Sequence, residues 1–179
     1  MKKAFSIILF AFIGQLFITA QNWTDTNIYP RNVVMEEFTG IYCGACPAGH
    51  TVAHEIDSAN PGRIIMIGVH ASDTYSQPNN SSHPDFRTQW GSNLYSMSNC
   101  WYFPTAMINR TVFDSATCSN NPPGSSKGMT RGSWEDASNE ILADESAEVN
   151  IGIRSLWDES TRILSIDVEL YYKEEQNLF

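Results

Sequence analysis

Residues 40–50, "GIYCGACPAGH", set Cys43 and Cys46 three positions apart, directly after an apolar run and directly before a helix-like pattern. Such a pair is a redox centre, half of a metal site or a structural disulfide, and the flanking sequence separates these readings. Upstream, "NVVMEEF" at 32–38 reads as a strand: β-branched and apolar residues follow Pro30, and the two-residue period puts Val33, Met35 and Glu37 on one face. Downstream, "CPAGHTVAHEIDSAN" at 46–60 reads as a helix. Pro47 is tolerated in its first turn, and Val52, Ala53, Ile56 and Ala59 recur at three- and four-residue spacing. "PG" at 61–62 then stops it.

Further along, "RIIMIGVH" at 63–70 is a nearly continuous apolar run of strand length, which predicts a strand buried on both faces of a parallel or mixed sheet. The polar segment 71–82 predicts a surface loop. Residues 84–95 predict a helix from Phe86, Trp90 and Leu94 at four-residue spacing, and "FPTAMINRTVFD" at 103–114 predicts a hairpin turning near Asn109 to Thr111. "SNNPPGSSKGMTRGS" at 119–133 reads as loop or linker. Residues 134–143 predict a short helix with Trp134, Ala137, Ile141 and Leu142 on its apolar side. Strand, loop, Cys-x-x-Cys, helix, strand, helix, proline-led hairpin, helix is the order of a thioredoxin-like α/β domain, with a central mixed sheet flanked by helices, over 32–146.

Within that fold the chemistry follows from placement. Unsatisfied N–H groups and the positive end of the helix dipole stabilise a thiolate, which makes Cys43 the attacking nucleophile. Cys46, one helical turn on and partly shielded, would resolve the mixed disulfide formed with a substrate. Gly44 and Ala45 add neither charge nor imidazole, so the motif does not set the direction of electron flow. Pro104 in "YFPTAMINR" is the proline expected to face the sulfur pair after a cis bond, leaving backbone free for an extended peptide. Glu37, six residues before Cys43, would take the proton from Cys46 if it is buried beneath the motif. A solvated acid at a strand end is the alternative, and Glu36 is the other candidate.

The segments "EEFTGIYCGACPAGH" and "YFPTAMINR", with an apolar leader upstream, resemble the Omp28-related family of exported Bacteroidetes proteins, within the thioredoxin-like superfamily. The resemblance is close over about residues 32–110 and looser beyond. It implies a thioredoxin-like domain, often followed by a β-sandwich, with Cys43, Cys46 and Pro104 at the redox positions. Tyr42 departs from the tryptophan usual before the first cysteine of thioredoxins. The family name asserts an outer-membrane location, although no part of the chain reads as a membrane barrel.

Lys2 and Lys3, the apolar stretch from Ala4 to Ile18 and the small Ala20 read as a secretory signal peptide over residues 1–20, with a retained anchor as the alternative, followed by a lead-in at 21–31. Export places all four cysteines in an oxidising compartment, where two disulfides are expected. Cys100 and Cys118 lie nine residues either side of Asn109, so antiparallel pairing across the proposed hairpin predicts a structural disulfide between them. The formal net charge of −9 includes the two leader lysines, and so acidic a chain should repel nucleic acid and anionic lipid. No transmembrane segment is expected after cleavage; peripheral outer-membrane association remains open.

From 147 the texture changes. "AEVNIGIRSLW" and "RILSIDVELYY" alternate apolar with polar residues around "DEST", which predicts the first hairpin of an all-β, sandwich-like domain continuing past residue 179.

These readings converge on an exported thiol–disulfide oxidoreductase acting on protein thiols and disulfides with an unidentified redox partner and no dissociable cofactor. A binding protein that keeps the pair oxidised is the competing reading. His50 and His54 follow Cys46 at four-residue steps and can share its helix face, the arrangement of a metal site, or can be exposed helix positions. His70 and His83 have no partner recognisable from sequence. Trp90, Tyr95, Trp101 and Phe103 are either core or an apolar rim for peptide substrates.

Overall fold

The computed structural model describes residues 23–71, 73–118 and 121–173, so the leader at 1–20 and the last residues of the chain lie outside the description. Two units emerge: Asn27–Glu148, and the chain before it together with the residues from Val149.

In the first unit, β1 (Val33–Thr39) is central, with β2 (Ile64–His70) parallel on one side and β3 (Thr105–Ile108) antiparallel on the other; β4 (Gly128–Thr130) closes the order β2-β1-β3-β4. The strand alternation splits the core in two. Val33 and Met35 of β1 join Ala106 and Ile108 of β3 against α1 (Cys46–Ala59) and α4 (Trp134–Leu142), with Ala53, Ile56, Met129, Trp134 and Ile141 in the same cluster. On the opposite face Phe38 and Met107 pack with Val69, Phe103 and Tyr95 of α3 (Gln89–Ser98). Each fully buried side chain of this size contributes about 1.5–3 kcal/mol of transfer free energy, so this two-sided packing fixes β1 and the loop it feeds. A mixed sheet with helices on both faces and the Cys-x-x-Cys helix following the central strand is a thioredoxin-like α/β fold.

Five expectations are corrected. First, β2 is an edge strand, not a strand buried on both faces: Ile65, Met66 and Ile67 are exposed, because nothing pairs beyond it in the order of the described strands. Second, the supposed loop at 71–82 contains α2 (Asp73–Ser76), whose buried Ser76 Oγ donates to the carbonyls of Ala71 and Thr39 at 2.6 and 3.0 Å. Third, α3 starts five residues later than its apolar spacing suggested. Thr88 caps it, accepting from Gly91 N at 2.9 Å, and the buried side is Gly91, Tyr95 and Ser98 rather than Phe86 and Trp90.

Fourth, the chain after β3 turns at Asn109 and Arg110, both at positive φ, but it does not return as a hairpin over 112–114. Asn109 instead prolongs the β1 pairing, its Oδ1 accepting from Val34 N at 2.6 Å and its N donating to Val34 O. The partner of β3 is β4, and so, fifth, the segment read as linker holds a core strand with Met129 fully buried, followed by a 3-10 turn at Arg131–Ser133.

The second unit is the hairpin of β5 (Val149–Asp158) and β6 (Ile163–Tyr172), antiparallel along its full length. Directly opposed residues share a face, so Ile151, Ile153 and Trp157 lie with Leu170, Val168 and Leu164 on an apolar face whose side chains are exposed. The lead-in packs on the other face. Trp23 N, Thr24 N and Thr24 Oγ1 donate to Glu169 Oε2 at 2.7–2.8 Å, and the Arg154 guanidinium lies 4.2 Å above the Trp23 ring.

Candidate functional site

Gly40 opens the loop between β1 and α1. A Cβ there would stand 2.4 Å from Tyr75 O, so only glycine lets α2 approach the loop this closely. Tyr42 N donates to the same carbonyl at 2.9 Å, and Cys43 N to Gly40 O at 3.0 Å. The loop thereby delivers Cys43 to the N-terminus of α1, where Cys46 is the first helical residue and Pro47 follows. Cys43 and Cys46 form a disulfide, with Cα atoms 5.4 Å apart. Cys46 is sealed at 1% exposure and Cys43 is the more open at 7%, the asymmetry expected of a resolving and an attacking sulfur.

Ala45 precedes the helix with no side-chain cap, and the first turn contains no acid. The positive end of the α1 dipole therefore acts on the sulfurs with no acid of the helix's own first turn opposing it.

Pro104 is fully buried and follows a cis peptide bond from Phe103. Gly49 links it to the cysteines. One turn after Cys46, a Cβ at Gly49 would lie 2.8 Å from both Cβ and Cγ of Pro104 and 2.9 Å from Glu37 Oε1. The disulfide helix, the proline and the carboxyl are thus in van der Waals contact through one glycine. Sequence reading missed Gly49, although its position at Cys46 + 3 on the inner face was the available signal.

Glu37 points to the α1 side of the sheet, where Val33 and Met35 also point. It is buried, and desolvation raises its pKa from 4.5 to about 7. Its Oε1 has no hydrogen-bond partner among the described residues; His50 Nε2 lies at 3.4 Å, within ion-pairing distance but outside hydrogen-bond geometry. Glu36 faces the opposite way, and its carboxylate is held by Arg110 Nε and an Nη at 2.9 and 2.5 Å. Of the two adjacent acids, Glu37 is therefore the one against the disulfide helix.

His50 also meets Thr39 Oγ1 at 3.2 Å. His54 is exposed one turn further on, and Cys46 is engaged in its disulfide, so the three residues of the metal reading do not converge; no cluster of three or more potential ligands occurs among the described residues. His70 lies opposite Thr39 in the β1–β2 register, its pKa lowered by burial and by His50. His83 Nδ1 is 2.5 Å from Tyr42 Oη, which also accepts from Asn79 N, so the 79–83 loop is tied to the residue preceding Cys43.

The aromatic group divides. Tyr95 and Phe103 are core, with ring centroids 5.0 Å apart, whereas Trp90 and Trp101 are mostly exposed. Trp101 stands edge-on to Tyr95 at 5.1 Å, and Tyr75 stacks on Phe103 at 5.3 Å.

Cys100 and Cys118 form the second disulfide, so all four cysteines are paired. The contact arises differently from the cross-hairpin geometry expected. Cys100 follows the end of α3, Cys118 lies in the connection between β3 and β4, and Thr105 Oγ1 donates to Met129 O at 2.7 Å beside them.

Among the described residues no helix is long and apolar enough to cross a membrane. No known protein family and no curated protein matches the chain. Among solved structures it is similar to HBP35 of Porphyromonas gingivalis, with 18% identity, 71% of this chain and 38% of that one covered, and a TM-score of 0.45. It is also similar to a protein of Agrobacterium tumefaciens, with 13% identity, 79% and 58% covered, and a TM-score of 0.46. The chain spans less than two thirds of the length of either.

Proposed function

We propose that this chain is an exported thiol–disulfide oxidoreductase of the Omp28-related kind, acting on protein cysteines in the periplasm or at the cell surface. The observation that carries the reading is the Cys43–Cys46 disulfide at the uncapped N-terminus of α1, joined through Gly49 to Pro104 and to a buried Glu37 whose Oε1 has no hydrogen-bond partner among the described residues.

In the reducing direction the Cys43 thiolate attacks one sulfur of a substrate disulfide and the other leaves as a thiolate. Cys46 then gives its proton to Glu37 and attacks Cys43 Sγ, expelling the second substrate thiolate. The two protein thiols are oxidised by two electrons and the substrate disulfide is reduced by two. The reverse sequence oxidises a substrate dithiol, and the reduction potential relative to the partner sets which runs. Exposed Trp101 and Tyr102, which shortly precede Pro104 in the chain, and Tyr75, stacked on Phe103, would offer an apolar rim to an extended peptide.

The test is trapping. Cys46→Ser should accumulate mixed disulfides with substrate proteins, because attack continues and resolution is lost, while Cys43→Ser should trap little. Equal trapping by both, or a wild-type pair that never equilibrates with glutathione, would leave the fold as an oxidised binding scaffold.

A further inference from the structure

A carboxyl that takes a proton in an interior must lose it again before the next cycle, and Glu37 has little route to water of its own. Its side chain is only 10% exposed and its Oε1 has no hydrogen-bond partner among the described residues. Among the described residues the one ionisable group in ion-pairing distance is the His50 imidazole, with Nε2 at 3.4 Å, and that side chain is 49% exposed. The ring therefore spans from buried carboxyl to solvent. Thr39 Oγ1, 3.2 Å from Nε2, fixes its orientation from the strand below. His50 is also at Cys46 + 4, which puts it on the same side of α1 as the resolving sulfur.

We propose that His50 is a positioning residue that serves as the proton outlet of Glu37, passing the proton released by Cys46 from the buried carboxyl to solvent. This rests on the thiol–disulfide reading above. The step balances: the Cys46 thiol proton moves to the Glu37 carboxylate as sulfur attacks Cys43, then from the carboxylic acid to neutral His50, and from the imidazolium to water. No electrons pass through either residue.

The surrounding charges permit it. On β1, Glu36 faces the other side of the sheet and is neutralised by Arg110. On β2, the pKa of His70 is lowered by burial and by its proximity to His50. On α1, His54 is exposed one turn beyond, and on the β3 side the contact is Pro104, which does not titrate. No lysine or arginine forms an ion pair with Glu37 among the described residues, and His50 is the ionisable partner at this range. A carboxyl lifted by burial to about 7 exchanges its proton near neutral pH.

The experiment is repeated turnover of a peptide disulfide by the full chain with excess reduced glutathione, beside single-turnover exchange, in wild type, His50→Gln, Glu37→Gln and the double variant, from pH 5 to 9. His50→Gln should slow repeated turnover by about tenfold near neutral pH, leave the first turnover close to wild type, and be rescued by added imidazole. In the Glu37→Gln background it should have no further effect. Unchanged repeated turnover with an unchanged pH profile, or a loss that imidazole does not rescue and that persists without Glu37, would overturn the assignment. Carbon-13 NMR of the Glu37 carboxyl in the oxidised protein separates this from failure of the thiol–disulfide reading, since it needs no turnover. His50→Gln should move that titration upward, and an unmoved titration overturns the outlet even if exchange is observed.

Discussion

Replacing Glu37 by glutamine should stabilise the protein, and more so at alkaline than at acid pH. Burial raises the folded-state pKa from 4.5 to about 7, so between those values the folded chain binds more protons than the unfolded one. The stability associated with the protonated carboxyl is present in full below 4.5 and is lost as pH rises through 7. A shift of that size corresponds to about 3 kcal/mol at 1.36 kcal/mol per unit. The 10% exposure of the side chain leaves only a small reduction for solvent screening. Glutamine keeps the shape and removes the titration, so the variant should gain on wild type by about 3 kcal/mol between pH 4.5 and 8. With a urea dependence of about 1–3 kcal/mol per molar, the gap between the two unfolding midpoints should widen by about 1–3 M over that range. Urea titrations with both disulfides intact, followed through the fluorescence of fully buried Trp134, provide the assay. Taking the difference between variants cancels the other groups, such as Asp85, whose pKa its own Arg87 contact lowers to about 2. A midpoint gap independent of pH, or one that widens in acid, would refute a desolvated Glu37.

Gly49→Ala should destabilise by about 1–3 kcal/mol despite the better helix propensity of alanine, because the new methyl meets a proline ring that cannot move aside; a neutral thermal melt would contradict the close approach. Removing the second disulfide as Cys100→Ala with Cys118→Ala should lower stability by about 3 kcal/mol, read by denaturant unfolding, since the bond closes a loop of sequence separation 18; no change would show that the connection is held by its other contacts. Arg110→Met leaves buried Glu36 without its partner and should cost about 2 kcal/mol, less than a fully buried pair because the guanidinium is half exposed; a melting temperature equal to wild type would show that Glu36 is protonated or solvated instead.

The β1–loop–α1 segment was legible because local rules agree there: a two-residue period before Gly40, a proline at the helix start, and a three-to-four-residue period after it. Where local rules conflict, pattern reading fails. Phe86, Trp90 and Leu94 have helical spacing, yet the buried side of α3 is built on small residues, Gly91 and Ser98, and a Cβ on Gly91 would come within 3.1 Å of Val69 Cγ1. Close packing of a helix on a sheet selects small side chains, which a search for large apolar ones passes over. The three-residue β4 lies among glycine, proline and serine, and its pairing with β3 across a long connection is a tertiary choice invisible to any local window. At the site, the strand period put Glu37 on the face of Val33 and Met35, whereas the contact of Glu36 with Arg110, which follows Asn109 in a positive-φ turn, was not legible in sequence. The His50 contact depends on how α1 rotates over β1, which the helix sequence alone does not specify.

The first unit begins and ends side by side. Ala147 N donates to Tyr29 O at 2.8 Å, Arg31 N donates to Asp144 O at 3.0 Å, and the Arg31 and Asp144 side chains lie 3.8 Å apart. The chain before Asn27 and the chain after Glu148 both belong to the second unit, where Trp23 and Thr24 are bound by Glu169. The unit that carries the Cys43–Cys46 disulfide is therefore an insert in sequence, flanked on both sides by segments of the other unit. Tension applied along the polypeptide would meet the paired ends of this unit, Tyr29 with Ala147 and Arg31 with Asp144, before it reached the sheet. A ligated circle joining residue 27 to residue 148 would leave the disulfide helix covalently independent of the hairpin.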